Sequence, residues 1–478
     1  MWFASGVVMM YAQMPILTEG ERLRALPPLP VDRIHVSPVE AVKHVAFAAP
    51  PRSVTITSLF GRPAYRIAGD GARLFTVFAD DGRAVSSFTF EEAVQSIAAY
   101  VPDRQTRWRL SDILNRPDQW TLAVEMDALR PLYRVVVDDG LGTVLYVSAV
   151  TGDVVLRTTS RSRALAWAGA IPHWLYLTAI RQYPEVWRRF VMSVSAAGCV
   201  LCLLGLTLGV WRYSPSKKYR VGGRGPSRSP YDGVMQWHFW CGLTFGAVTF
   251  TWILSGMFSL NPGRFSGDST PTIAQAESFA GGPLRLEQFH ASPSGTRDGR
   301  GSSFTIKEVA LAQVDGRPFY RLSAQNGTME FVDGDGAIAP PFSRAFLLEA
   351  ARRAVKGATI ADVQALDDYD AYYYDRDWRK PLPVLRVKFD DTHRTWLYID
   401  PARGAVLSSL DRATRFNRWI FQGLHTFDVP FLWRSRPLWD LVTMGLCAGG
   451  FLLSITAIVN AFRRVRGVTK RPAGSPAS

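Results

Sequence analysis

The stretch YRVVVDDGLGTVLY, residues 133–146, returns as LRVKFDDTHRTWLY at residues 385–398. Arg134-Val135 and Arg386-Val387, Asp138-Asp139 and Asp390-Asp391, Thr143 and Thr395, and Leu145-Tyr146 and Leu397-Tyr398 all coincide at an offset of 252 residues. The same offset relates Gly152 to Gly404, His173 to His425 and Trp187 to Trp439. Further out, GRPxYR at 61–66 returns at 316–321, an offset of 255, and Ser5-Gly6 returns as Ser255-Gly256, an offset of 250. Agreement at a nearly constant offset over this length marks one unit used twice.

The unit is set by three stretches without Asp, Glu, Lys or Arg: 190–211, 233–263 and 441–462. A bilayer core needs about 20 apolar residues of helix, so each is a candidate span and a purely soluble protein is excluded. Residues 2–11, WFASGVVMMY, are apolar but make only about half a span. They lack the basic start and cleavage site of a signal peptide and read as the second half of a helix. The expected fold is an α+β membrane protein in which a unit of membrane helix, α+β domain and membrane helix is duplicated. That gives a four-helix membrane bundle with its first helix truncated, and two periplasmic domains. The divisions are a partial helix at 1–14, a polar domain at 15–185, a span at 186–212, a basic loop at 213–233 and a span at 234–261. A second polar domain at 262–434, a span at 435–462 and a basic tail at 463–478 complete the chain.

Of 478 residues, 55 are Lys or Arg and 41 Asp or Glu, a net charge of +14. The excess is explained by membrane topology rather than nucleic acid, for which no partner role is expected. Arg212, Lys217, Lys218, Arg220, Arg224 and Arg228 face one acid, Asp232, in the short loop, and Arg463, Arg464, Arg466, Lys470 and Arg471 face none in the tail. Both segments are therefore expected in the cytoplasm of a bacterial inner-membrane protein, with the large domains in the periplasm. Arg188, Arg189, Arg434 and Arg436 run against this pattern, but long domains translocate largely regardless of charge. All four cysteines, Cys199, Cys202, Cys241 and Cys447, lie in the apolar stretches and read as small apolar filler.

In the polar domains, helices are expected at 37–47, where Ser37-Pro38 is a start signal, and at 90–100. Alternating runs at 54–59, 64–67, 74–78, 133–137, 144–147 and 154–156 read as strands between turns. The Gly/Ser/Pro/Arg-rich run 291–303 reads as a loop. Residues 369–378, YDAYYYDRDW, are either a ligand-facing loop or a strand packed on the sheet.

Of seven histidines, His35, His44, His290 and His393 sit in polar segments and read as surface or core residues. His173, His238 and His425 lie at span ends, where an ionisable residue suggests function. His173 and His425 are repeat equivalents on the outer side; His238 is on the inner side, and its counterpart falls about twelve residues before Met1 by the repeat offset. Paired imidazoles on facing helices are what a six-coordinate haem b requires. Gly205-x-x-x-Gly209, Gly242-x-x-x-Gly246 and Gly445-x-x-x-Gly449 give each span a stripe along which helices or a flat ring approach closely.

The W-x-x-S-G pattern (Trp2–Gly6 and Trp252–Gly256), Trp237-His238-x-x-x-Gly242-Leu243, Pro172-His173-Trp174 and Leu424-His425-x-x-Asp428 resemble the PepSY-associated transmembrane family. The helix-plus-strand units resemble PepSY domains. The resemblance implies a kinship with inner-membrane di-haem reductases of ferric siderophores. His173 and His425 would ligate an outer haem, and His238 an inner one with a first-helix His that this chain lacks. Arg181, Arg188, Arg189 and Arg434 are candidates to pair with haem propionates or an anionic chelate, or with lipid headgroups. The expected function is haem-b electron transfer across the bilayer to a ferric siderophore or other ferric complex. No G-x-G-x-x-G follows a strand, so a separate electron donor, a quinol or a cytoplasmic reductase, is required. The alternative is a non-enzymatic, membrane-anchored PepSY module that binds a peptide, protease or iron-uptake partner through strand edges.

Overall fold

The computed structural model describes the chain except for residues 46–49, 70–72, 102, 104, 222–224, 261–268, 292–303, 340–341 and 470–478. Past Ala291 the Gly/Ser/Pro/Arg-rich run lies outside the described residues.

Among the described residues three helices are long and apolar enough to cross a membrane: Pro184–Arg212, Gly233–Ser259 and Arg436–Arg466. The first starts on Pro184, which lacks an N–H that the first turn could not use anyway. The middle helix packs against both others, and the eight-residue helix Trp2–Met9 packs on the third. Leu201, Leu208, Leu441 and Ile458 stay exposed, as residues facing hydrocarbon would. The glycine stripes serve helix packing. A Cβ at Gly246 would fall 2.8 Å from Leu206, and one at Gly449 2.4 Å from Phe245, so these glycines are the holes that neighbouring Leu and Phe fill. Gly205 and Gly445 face open space. The four cysteines are free, as expected of apolar filler.

Among the described residues the strands form three antiparallel sheets. β1 (Ser53–Leu59), β2 (Arg62–Ala68), β3 (Leu74–Phe78) and β4 (Ala84–Val85) come from the first half. β5 (Trp108–Leu114), β6 (Leu132–Val137), β7 (Val144–Ser148) and β8 (Val154–Thr158) make a four-stranded sheet in that order. The second half supplies β9 (Ile306–Val314), β10 (Arg317–Ala324) and β11 (Met329–Asp333). It also makes a second four-stranded sheet from β12 (Ile360–Leu366), β13 (Val384–Phe389), β14 (Trp396–Asp400) and β15 (Ala405–Leu410).

Two separate outer domains are not what the strands build. β1 pairs with β9, with Val54 opposite Leu311 and Ile56 opposite Val309. The result is one seven-stranded sheet, ordered β11-β10-β9-β1-β2-β3-β4, that runs through both halves. An unpaired edge strand is costly, and each half's first strand covers the other's edge. The β1–β2 and β9–β10 hairpins turn on Phe60-Gly61 and Asp315-Gly316, all four residues at positive φ, the two-residue turn that suits strand twist. Val54, Ile56, Tyr65, Val309, Leu311 and Tyr320 share one core across the seam.

Local signals held where side chains close them. Ser37 and Thr89 cap their helices, with Glu40 and Glu92 completing capping boxes. The helices are shorter than periodicity suggests: Pro38–Lys43 for the first, and Phe90–Ala93 continued by the 3-10 turn Val94–Ala99 for the second. The Tyr-rich stretch is a loop and also packs on the sheet. Tyr369 and Tyr373 are buried against Val384, Tyr398 and Trp433, which ties the β12–β15 sheet to the approach of the third span.

Candidate functional site

The spans end, on the side that carries the sheets, at two histidines. His173 sits in the short helix Ala170–Trp174. His425 follows the π-helical turn Trp419–Gly423, and its amide donates to Phe421 O at 2.7 Å. Their ring centroids are 6.1 Å apart, with planes at 75°. Each ring rests on a glycine: a Cβ at Gly6 would lie 3.4 Å from His173 Cε1, and one at Gly256 3.2 Å from His425 Cε1.

The two rings are held alike. His173 Nδ1 lies 3.2 Å from Trp2 O and 3.2 Å from Ser5 Oγ. His425 Nδ1 lies 3.1 Å from Trp252 O and 3.1 Å from Ser255 Oγ. A carbonyl oxygen only accepts, so Nδ1 carries the proton in both rings and donates it. Burial lowers the pKa of both imidazoles, and the neighbouring His173 lowers that of His425 further, which favours the neutral rings. A neutral ring with a proton on Nδ1 has its lone pair on Nε2, and no described residue hydrogen-bonds either Nε2. This is the state of a metal-ligating histidine, with the second nitrogen fixed to a carbonyl.

The separation suits a shared ion. Two imidazoles that each hold one metal at about 2 Å through a ring nitrogen have centroids roughly 6 Å apart. Two nitrogens alone do not complete a coordination sphere. Among the described residues no group of three or more His, Cys, Asp or Glu gathers. Trp2 Nε1 and Trp252 Nε1, equivalent in the repeat, are buried without hydrogen-bond partners beside this site.

His238 is not part of the pair. It lies on the middle span, and its Nδ1 is 3.1 Å from Thr456 Oγ1 on the third. Seventeen residues separate it from Ser255 on one helix, roughly 25 Å along the axis. His35, His44, His290 and His393 are exposed. Arg188 pairs with Glu185 at 3.0 Å, and Arg434 with Asp368 at 3.1 Å, so both already have carboxylates. Arg181 lies over the rings of Tyr176 and Trp187, and Arg189 is exposed.

Sequence reasoning singled out the W-x-x-S-G pattern without its purpose. Trp2, Ser5, Trp252 and Ser255 supply the carbonyls and hydroxyls that hold the imidazoles, and the glycine of each motif leaves room for the ring. Asp428 enters the sequence reading only within Leu424-His425-x-x-Asp428. It is buried, with Oδ2 accepting from Tyr374 Oη at 2.7 Å and Oδ1 3.7 Å from Arg376 Nη1. Burial raises its pKa, against the pull of Arg376.

Apolar spans, antiparallel sheets at one end and a pair of facing imidazoles at the junction define a membrane protein whose candidate site lies between its spans and its sheets. The model of the PepSY-associated TM region matches residues 235–477, just over half of the chain, and the protein belongs to that family. No curated protein and no solved structure matches the chain.

Proposed function

We propose that this chain is a haem-b electron-transfer protein of the bacterial inner membrane, with its sheets in the periplasm, and that it reduces ferric siderophores or other ferric complexes at that face. The observation that supports it is the pair of neutral imidazoles, 6.1 Å apart, each with Nδ1–H fixed and Nε2 open. The donor set fits haem b: two neutral imidazoles, His173 and His425, would hold its iron through Nε2. His238 is the candidate ligand of a second, inner haem. Bound haem supplies reversible one-electron chemistry.

The chain's own residues do the rest. Trp2 O and Trp252 O hold the Nδ1 protons, which fixes the tautomer and the ring planes. Phe421 stacks on His425 at 5.2 Å and 20°, and Trp252 packs between Phe3 and Phe427, which keeps water from the rings. Iron(III) held by hard oxygen ligands binds far less tightly once reduced, so one electron releases it. The electron comes from a quinol or a cytoplasmic reductase.

The test uses purified full-length protein reduced with dithionite and freed of excess reductant. Mixed anaerobically with a ferric hydroxamate or ferric citrate, it should reoxidise and deliver one Fe(II) to a chromogenic chelator per electron lost. Failure to reoxidise with any ferric complex would overturn the reductase reading. One feature favours a second reading: the edge strand β5 leaves Trp108 and Ile113 exposed, a surface to which a partner's strand can add. Binding of a peptide there, with no haem in the protein, would support the anchored-module function instead.

A further inference from the structure

We infer that Arg418 anchors a carboxylate side chain of the haem held by His173 and His425; the inference rests on the haem reading above. Arg418 ends the helix Arg412–Arg418 that leads into the π-turn and His425. Its side chain is 6% exposed. Nη2 donates to Asp428 O at 2.6 Å, while Nε and Nη1 are buried with no partner. No described carboxylate makes an ion pair with it. Asp428 meets Arg418 through its backbone O; its Oδ2 accepts from Tyr374 Oη at 2.7 Å, and its Oδ1, without a described hydrogen-bond partner, stands 3.7 Å from Arg376 Nη1.

The guanidinium is held in place all the same. It lies 4.1 Å from the ring centre of Trp419 and 5.0 Å from that of Tyr374. The unpaired Nη1 is 3.9 Å from the Cβ position of Gly423, two residues before His425. The free donors therefore lie along the turn that presents the ligand. A buried guanidinium with unmet N–H donors is costly, and a structure that fixes one beside a candidate ligand site has an anion to receive. Arg376 and Arg418 against Asp428 leave one positive charge uncompensated, which matches one carboxylate. Of the four cations that the sequence suggests for this task, Arg181, Arg188, Arg189 and Arg434, two are already paired, Arg188 with Glu185 and Arg434 with Asp368.

The experiment compares Arg418→Met and Arg418→Lys with the wild type as full-length, haem-loaded protein. Haem loss is followed by transfer to excess apo-globin, and the midpoint potential by redox titration. Arg418→Met should keep the paired-His spectrum, lose haem about tenfold faster or more, and move the potential negative; Arg418→Lys should recover part of both. The same apo-proteins reconstituted with haem dimethyl ester, whose carboxylates are masked, separate this contact from a structural effect: wild type and Arg418→Met should then lose haem at the same rate. Wild-type haem loss and potential in Arg418→Met, or an ester that leaves the difference intact, would overturn the inference while leaving the haem reading standing. A wild-type protein that takes up no haem would overturn both.

Discussion

Replacing Ser255 with Ala removes one of the two oxygens that meet His425 Nδ1, the hydroxyl at 3.1 Å, and leaves the other, Trp252 O, also at 3.1 Å. The ring keeps its tautomer because the carbonyl still accepts the proton. The loss is one hydrogen bond's net worth, about 1 kcal/mol, or about fivefold in the affinity for the ligated group. Ser5→Ala should cost the same, since Ser5 Oγ and Trp2 O hold His173 at 3.2 Å each. The two serines touch different rings, so the double variant should add to about 2 kcal/mol, roughly thirtyfold. The assay is the rate of haem transfer from each variant to an excess of apo-globin, with the absorption spectrum checked to show that both imidazoles remain bound. Equal single effects and an additive double are expected. A Ser255→Ala protein that loses haem at once while Ser5→Ala is silent, or the reverse, would refute the equivalence of the two cradles.

Further outcomes follow from packing and charge. Gly449→Ala puts a Cβ 2.4 Å from Phe245 and should destabilise the helix contact by about 1–3 kcal/mol in thermal unfolding in detergent. Gly445→Ala, with nothing within 4 Å, should be tolerated or gain up to about 1 kcal/mol from helix propensity. Asp370→Ala strands Arg386, whose Nη1 is 2.7 Å from Asp370 Oδ2, and removes the acceptor of Tyr398 Oη; about 3 kcal/mol should be lost in denaturant unfolding followed by Trp fluorescence. His238→Ala should leave the spectrum of the His173–His425 site unchanged, because the two levels are roughly 25 Å apart.

Much of the architecture was legible because it is local or repeated. The strand at 74–78 matches β3. The β1–β9 seam was not legible. It joins segments some 250 residues apart, and nothing in either strand names its partner; only packing of Ile56 against the Val309 side of the sheet decides it. Helix ends were overestimated at 90–100 because hydrophobic spacing does not separate an α-helical turn from a 3-10 one. At the site, repetition flagged His173, His425 and both W-x-x-S-G motifs, but the hydrogen bonds between them join α-helical turns remote in sequence. Arg418 leaves no trace: the residue 252 positions earlier is Ala166, so the repeat carries no echo of it, and in RATRFNR nothing in the spacing sets it apart from Arg412 and Arg415.

The most direct measurement is a reduced-minus-oxidised absorption spectrum of the purified full chain, with haem quantified per protein, for the wild type, His173→Ala and His425→Ala. The account predicts a low-spin, bis-imidazole b-type spectrum in the wild type that either substitution abolishes. No haem in the wild type, or an unchanged spectrum in both variants, would contradict it.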